Sequence, residues 1–222
     1  MTHVDDDVRD PELPGLLLRT ERDALIPLLR AASEDAFALR TACPGWTVRH
    51  VISHCATALT RLIENRFEPG VFTPESNDRD IAGRAHLPIS AVIDELERGM
   101  TEAGPLMAAS DGAMDGLALG EWVHAGDVRD AFGVEGAYAG AGLATALDLL
   151  TVQAKKRKAP PIVARLAGSD AERPFGAAQD DNAPGRYAGD GATLIRLYAG
   201  RPLVGTRYEL TGVTESEMRI FG

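Results

Sequence analysis

The residues best suited to chemistry lie in one short segment, Gly120 to Gly133, which reads GEWVHAGDVRDAFG. Glu121, His124 and Asp127 follow one another there at intervals of three, in a stretch whose apolar residues have helical spacing. On an α-helix such an interval turns the side chain by about 60°, so the two carboxylates flank the imidazole. Polar groups on an apolar face cost free energy unless they are paired. A metal ion would pair with them.

A second histidine, His54, lies on the apolar face of another predicted helix. Two imidazoles and one carboxylate, with a fourth position left open, make up the ligand count of catalytic zinc. His54, Glu121 and His124 are therefore the predicted metal ligands. Asp127 would either replace Glu121 as the carboxylate ligand or hold His124 in one tautomer. The competing interpretation is that both histidines are core residues hydrogen-bonded to acids, with no metal.

Three further residues have side chains that could take part in binding or catalysis. Arg201 lies at the end of a predicted helix near the carboxyl terminus. Its guanidinium could form two hydrogen bonds with one carboxylate, or it could interact favourably with the negative end of the helix dipole. Cys55 is expected to pack as a small hydrophobe on the bundle face. Cys43 lies in a predicted turn in which no neighbour in sequence activates its thiol.

The elements that must position these residues form two groups. The spacing of apolar residues predicts four helices in the first 135 residues, which favours a four-helix bundle with its metal site between facing helices. Pro27 predicts a kink in the first helix or a helix that starts only there. Residues 68–87 are charged and carry prolines and glycines, which predicts a long loop. The first predicted helix begins at Leu16, and the other three cover about 48–66, 89–107 and 116–132.

A glycine-rich linker after Gly133 marks the predicted domain boundary. The chain is thus divided into a flexible leader (1–14), a helical bundle (15–135) and a small α+β domain (141–222). In the last of these we predict a helix over 143–158, ended by two prolines, and four short strands in IVARLAG, RPFGAA, GRYAGD and GTRYELTG. GATLIRLYAGR between the last two strands is predicted to be helical.

Composition excludes several classes of protein. The net charge of −10 argues against a nucleic-acid-binding surface, which would be basic. The start of the chain lacks the order of a signal peptide, and no apolar run approaches the ~20 residues that cross a bilayer. Two cysteines are too few for a disulfide scaffold and fit a reducing cytoplasm. We expect a cytoplasmic protein that acts on a small molecule, without nucleic-acid or membrane partners.

Three sequence motifs resemble those of a known family. TACPGWTVRHVISHCA, followed about 70 residues later by GEWVHAGDVRDAFG, is similar to DinB-like proteins, in particular to the mycothiol-dependent maleylpyruvate isomerase family. The segment YAGDGATLIRLYAGRP and the later YELTG resemble that family's second domain, a sterol-carrier-like α+β unit. The resemblance covers nearly the whole chain and implies a DinB-like bundle followed by this small domain.

The resemblance also implies a divalent metal, usually zinc, held by a histidine of the second helix and a Glu/His pair of the last. His54 and His124 match the two histidines. The family's glutamate stands four residues before the second histidine, where this chain has Gly120, so Glu121 or Asp127 would supply the carboxylate. Arg201 matches an arginine that the family uses at its active site, which implies that Arg201 is a catalytic residue that orients the substrate.

The implied chemistry uses mycothiol, a small thiol, as a metal-bound thiolate. In the isomerase the thiolate adds to a cis double bond, the resulting single bond rotates, and elimination leaves the trans product; related proteins are S-transferases. The expected substrate is a maleylpyruvate-like carboxylate or another small electrophile. Two alternatives stay open: a non-catalytic binding protein that keeps the bundle, and a metal-dependent hydrolase in which water replaces the thiol.

Overall fold

The computed structural model describes residues 9–178 and 183–221. Within these ranges the chain forms a group of five helices, a sixth helix, and a four-stranded sheet with two further helices. The helices are α1 (Leu13–Ala31), α2 (Val48–Ile63), α3 (Pro74–Arg84), α4 (Ile89–Ala108), α5 (Asp115–Ala131), α6 (Leu143–Lys156), α7 (Gly191–Tyr198) and α8 (Glu215–Met218). The strands are β1 (Ile162–Leu166), β2 (Glu172–Phe175), β3 (Gly185–Gly189) and β4 (Tyr208–Thr211).

Four of the helices close into a bundle. α1 packs against α4 and α5, and α2 packs against the same two helices, so each long helix has two neighbours. Apolar side chains with helical spacing fill the centre, among them Leu17, Leu59, Leu96 and Trp122, all of them almost fully buried. The predicted fold class, a helical bundle followed by a small α+β unit, is confirmed.

The start of α2 is fixed by its own sequence. The turn before it contains Pro44 and Gly45, and Gly45 has a φ of 80°, which a residue with a side chain adopts only at a cost. The Thr47 hydroxyl then accepts from the backbone N–H of His50, and the His50 ring accepts from the backbone N–H of Thr47. This reciprocal capping satisfies donors that the first turn leaves free. It sets the register of the helix that carries His54.

The structure excludes one of the two alternatives predicted for Pro27. α1 begins at Leu13 and continues through Pro27 to Ala31, so the helix does not start at the proline. Of the predicted leader, residues 1–8 lie outside the described residues. Arg9 donates to both carboxylate oxygens of Asp115, at 2.7 and 2.9 Å, which ties the described end of that segment to α5.

The predicted loop over residues 68–87 is wrong in its centre, where the structure has α3. The Thr73 side chain accepts from the backbone N–H of Ser76, and Pro74 occupies the first turn, where its missing N–H costs nothing. Asp80 is buried and forms an ion pair with Arg61 of α2. The helix is therefore held by a cap and an ion pair rather than by an apolar stripe, which is why hydropathy patterning missed it.

The carboxyl-terminal unit contains the four predicted strands and the predicted helix α7. The strand order is β2-β1-β3-β4, with β1 and β3 parallel and the two outer pairs antiparallel. Helix α6 packs against α1 and α5 of the bundle and also against β2 and α7. It therefore joins the two halves of the molecule. No helix in the described ranges combines the length and apolar character needed to cross a membrane.

Candidate functional site

Helices α2 and α5 bring His54 and His124 face to edge. Their ring centroids lie 5.3 Å apart, and the ring planes meet at 78°. The indole of Trp46, in the turn before α2, covers both: it lies 5.0 Å from the His54 ring and 5.9 Å from the His124 ring, centroid to centroid. His54 and His124, which are 70 positions apart in sequence, are thus neighbours, and the Trp46 indole contacts both.

The His54 ring is held in its neutral form. Burial, together with smaller effects of the nearby His124 and Arg61, lowers the pKa of His54 to about 3. Its Nδ1 atom is buried and has no hydrogen-bond partner among the described residues. A buried polar atom without a partner costs about 1–3 kcal/mol, so such atoms call for an explanation.

Asp127 receives hydrogen bonds on both oxygens and is fully buried. Arg201 donates to it twice, from Nε at 2.8 Å and from Nη2 at 2.7 Å. The Tyr138 hydroxyl donates at 2.6 Å, and Nδ1 of His124 lies 3.1 Å from Oδ2. Burial alone would raise the pKa of Asp127, but the hydrogen bonds and charges of His124 and Arg201 outweigh burial and lower it. Asp127 is therefore an ionised carboxylate at neutral pH.

This carboxylate determines which nitrogen of His124 carries the proton. With Asp127 ionised, the favourable arrangement has Nδ1–H of His124 donating to Oδ2, which leaves the Nε2 lone pair free. Carboxylate–histidine pairs of this kind orient imidazole ligands in metal sites. Because Asp127 already accepts four contacts, the structure favours this positioning role over direct ligation.

Arg201 is brought to the site, where it binds a carboxylate of the protein itself. Its Nε and Nη2 both bind Asp127, and Nη1 donates to the Ala199 carbonyl oxygen at 3.2 Å. The two-point grip on a carboxylate is present, but the carboxylate belongs to the protein. Tyr138 was missed by the sequence analysis, since it stands in the glycine-rich linker where no periodicity marks it.

Glu121 lies deeper, beside Cys55. Only 2% of its surface is exposed, and Oε2 has no partner among the described residues. Burial raises the pKa of Glu121 to about 8, against the opposing effect of a hydrogen bond with the Cys55 thiol. The side chain is therefore protonated at neutral pH in the protein alone.

One group of potential metal ligands in the described ranges comes within 4.8 Å, atom to atom: Cys43 Sγ, a ring nitrogen of His124 and a carboxylate oxygen of Asp127. Neither His54 nor Glu121 belongs to this group. Cys43 does lie in a turn, as predicted, but it has neighbours that the sequence could not reveal. Burial raises the pKa of its thiol, although Arg201 beside it acts in the opposite direction.

Residues 18–139 match the family described as the mycothiol maleylpyruvate isomerase N-terminal domain. The chain belongs to this family. Two solved structures resemble the whole chain: a mycothiol-dependent maleylpyruvate isomerase (20% identity, TM-score 0.61) and a histidine-to-alanine mutant with the same description (21% identity, TM-score 0.62). Each comparison covers 96% of this chain and 98% of the other. A search of curated protein sequences finds no match.

The side chains present fit the divalent metal that the family resemblance implies. Two imidazoles on one tetrahedral zinc, with Zn–N bonds of about 2.0–2.1 Å, have ring centroids about 5 Å apart. His54 and His124 have this separation. The unpartnered Nδ1 of His54 and the free lone pair of His124 are the nitrogen donors that such an ion requires.

Proposed function

We propose that this chain is an enzyme that uses mycothiol as a thiol cosubstrate at a divalent metal, zinc in the simplest case, held by His54 and His124. The observation that carries the proposal is the pair of imidazoles at 5.3 Å, one of them neutral and with an unpartnered nitrogen. Membership of the mycothiol maleylpyruvate isomerase N-terminal domain family supports the thiol.

His54 and His124 would hold the divalent metal, which would lower the pKa of a bound thiol so that the thiolate forms near neutral pH. The chain's own residues prepare that site. Asp127 holds the His124 proton on Nδ1, Arg201 and Tyr138 keep Asp127 in place, and Trp46 limits the access of water to both rings. The sequence prediction that Glu121 or Asp127 completes the ligand set remains a hypothesis.

Two reactions of the thiolate fit this arrangement. In a cis–trans isomerisation of a maleylpyruvate-like acid, the sulfur adds to the double bond, the resulting single bond rotates, and elimination returns the thiol. In an S-transfer, the sulfur forms a lasting C–S bond with the electrophile, either by displacing a leaving group that departs with the electron pair of its bond or by adding to a double bond whose other carbon then takes a proton. We propose a small carboxylate or other electrophile as substrate, and a cytoplasmic location, where the two free cysteines would stay reduced.

The first experiment measures metal content in the purified full-length protein by elemental analysis. We expect about one zinc per chain in the wild type, and less than a tenth of that in His54→Ala and in His124→Ala. His86→Ala, which removes an exposed histidine, is the matched control and should keep the metal. Absence of metal from the wild type, or full retention in both histidine variants, would overturn the proposal.

The second experiment tests the thiol. Mycothiol should raise the melting temperature of the metal-loaded wild type, because a ligand that binds only the folded state stabilises it. The same addition should leave His54→Ala unchanged. A shift of equal size in both proteins would place the thiol elsewhere and remove the support for thiol activation at the histidine pair.

One observation favours a second candidate, a non-catalytic binding protein. Arg201, expected to orient a substrate carboxylate, is instead bound to Asp127 through two of its nitrogens. A substrate carboxylate would have to compete with this buried ion pair. Metal and mycothiol binding without turnover of any thiol-reactive electrophile would favour the second candidate over the first.

A further inference from the structure

We propose that Cys43 supplies the third protein ligand, through Sγ, to the metal at His54 and His124, in the place where the sequence predicts a carboxylate. This inference rests on the proposed function, because it assumes the metal at the two histidines. It changes the predicted donor set from two nitrogens and an oxygen to two nitrogens and a sulfur.

The first argument is distance. Cys43 Sγ lies within 4.8 Å of a ring nitrogen of His124. With a Zn–S bond of about 2.3 Å and a Zn–N bond of about 2.0–2.1 Å, ligand atoms around a tetrahedral ion are about 3.5 Å apart. A small movement of one side chain on metal binding is enough to bring the two atoms to this separation.

The second argument is the turn that carries the cysteine. Cys43 and Trp46 belong to the same turn, which is closed by the Trp46 N–H donating to the Cys43 carbonyl oxygen at 3.1 Å. The Thr41 N–H donates to the Trp46 carbonyl oxygen at 3.0 Å, and the Thr41 hydroxyl accepts from the Cys43 N–H at 3.2 Å. Because Trp46 stacks on the His124 ring and contacts the His54 ring at a tilt, the same turn holds Cys43 beside His124.

The third argument is that the competing ligands are occupied or distant from this group. Both oxygens of Asp127 already accept hydrogen bonds, two of them from Arg201. Glu121 is buried beside Cys55 and, unlike Cys43, contributes no atom to the close group that contains His124. The unpartnered Nδ1 of His54, whose ring lies 5.3 Å from that of His124, is a separate sign that the histidine pair binds a ligand.

The consequences follow from ligand chemistry. Metal binding would release the Cys43 thiol proton to solvent and form one metal–sulfur bond, with no change in oxidation state. A donor set of one thiolate and two imidazoles suits zinc and disfavours magnesium, calcium and manganese. One tetrahedral position would remain open for the thiol cosubstrate.

The test is cobalt substitution of the full-length protein without added thiol. Thiolate bound to cobalt(II) gives a near-ultraviolet charge-transfer band that imidazole and carboxylate ligands do not give. We expect the band in the wild type, its loss in Cys43→Ser with at least ten-fold weaker cobalt binding, and its retention in the matched control Cys55→Ser. Glu121→Gln should also retain it.

The outcomes separate this inference from the proposed function. Cobalt bound through His54 and His124 but without the band would overturn the Cys43 ligand and leave the proposed function intact. Loss of the band in Cys55→Ser but not in Cys43→Ser would show that Cys55 is the ligand and would overturn the inference. No cobalt binding at all would overturn both.

A second measurement tests the inference without relying on Cys43→Ser, which could misfold, because it uses the wild-type protein. Zinc should slow alkylation of Cys43 by iodoacetamide at least ten-fold, measured by peptide mass spectrometry, and addition of a chelator should restore the rate. His54→Ala should show no zinc protection at the same zinc concentration. Equal alkylation rates in the zinc-loaded wild type and in the chelator-treated wild type would contradict the inference.

Discussion

Asp127 has no exposed surface, yet it carries a charge that three neighbouring side chains stabilise. Arg201 supplies the opposite charge from the other half of the molecule, while Tyr138 supplies a neutral donor. A buried ion pair contributes little net stability compared with a well-packed apolar pair, but loss of one partner leaves the other charge buried. The contribution of Asp127 to the free energy of unfolding should therefore become visible when only one member of the Asp127–Arg201 pair is removed.

Replacing Asp127 by Asn should lower the free energy of unfolding by about 3–5 kcal/mol, because it leaves the Arg201 guanidinium buried without a counter-charge. Urea denaturation followed by circular dichroism measures the change. The double variant Asp127→Asn with Arg201→Met should recover part of the loss, since it removes both charges. If the single variant loses less than 1 kcal/mol, Arg201 is not held in the buried position described here.

A second buried pair joins Glu21 of α1 to Arg129 of α5. Burial raises the pKa of Glu21 more than Arg129 lowers it. The folded state therefore binds the Glu21 proton more tightly than the unfolded state does. Its contribution to stability is present below the ordinary carboxyl pKa of about 4.3 and is lost as pH rises through the raised value in the folded protein.

In Glu21→Gln this pH dependence should disappear. Between pH 4 and pH 7 the free energy of unfolding of the wild type, measured relative to Glu21→Gln, should fall as pH rises, by at most about 1.4 kcal/mol per pH unit. Urea unfolding at several pH values measures the difference. A difference that grows with pH would mean that the ion pair outweighs burial.

At the scale of single residues, the sequence could predict which histidines share a face but not what surrounds them. His54 and His124 stand out because imidazoles interrupt apolar stripes. Cys43 and Tyr138 lie in a turn and a linker, where no periodicity marks the inward direction, and only the tertiary fold brings them to α5. The role of Arg201 could not be read either, because its partner Asp127 is 74 residues away.

At the scale of elements, two of the three glycines in α5 have opposite surroundings. A Cβ added at Gly126 would overlap the ring of Tyr138, whereas one added at Gly120 would meet no atom within 4 Å. Gly126 therefore allows the linker to pack closely on α5, so that the Tyr138 hydroxyl reaches Asp127. Gly120 has no such contact, so its absent side chain serves no packing purpose in the described structure.

Alanine at these two positions should have opposite effects. Gly126→Ala should destabilise the protein by about 1–3 kcal/mol, because the Tyr138 ring must move away. Gly120→Ala should stabilise it by about 0.5–1 kcal/mol, because alanine loses less backbone entropy in a helix. Thermal or urea unfolding measures both. Equal effects of the two substitutions would contradict the close packing of the linker on Gly126.

Helix prediction succeeded where an apolar stripe faces the core and failed where a helix is polar. The four bundle helices and α6 have such stripes, and the structure has a helix at each predicted position. α3 buries only Ser76 and Asp80. The start of α3 could have been predicted from Thr73, Pro74 and Glu75, which are a cap followed by a first-turn proline and an acid. The ion pair between its Asp80 and Arg61 of α2 could not have been predicted from the sequence.

At the scale of the molecule, the two halves share α6. This helix buries residues towards the bundle and towards the sheet unit, and Leu147 lies against Gly191 at the start of α7. Arg201 reaches from the sheet unit to Asp127 in α5. The predicted boundary in the linker after Gly133 therefore falls between α5 and α6, while buried contacts continue across it.

Because these contacts are buried, the halves should unfold together. Both tryptophans, Trp46 and Trp122, belong to the bundle half, so their fluorescence in urea reports that half. Pulsed hydrogen exchange of peptides containing β1 and β3 reports the sheet unit. We expect midpoints that agree within error, because unfolding of either half alone would expose one face of α6 and unpair Asp127 and Arg201. A sheet transition at clearly lower urea, with tryptophan fluorescence unchanged, would mean that the interface along α6 is weaker than its burial implies.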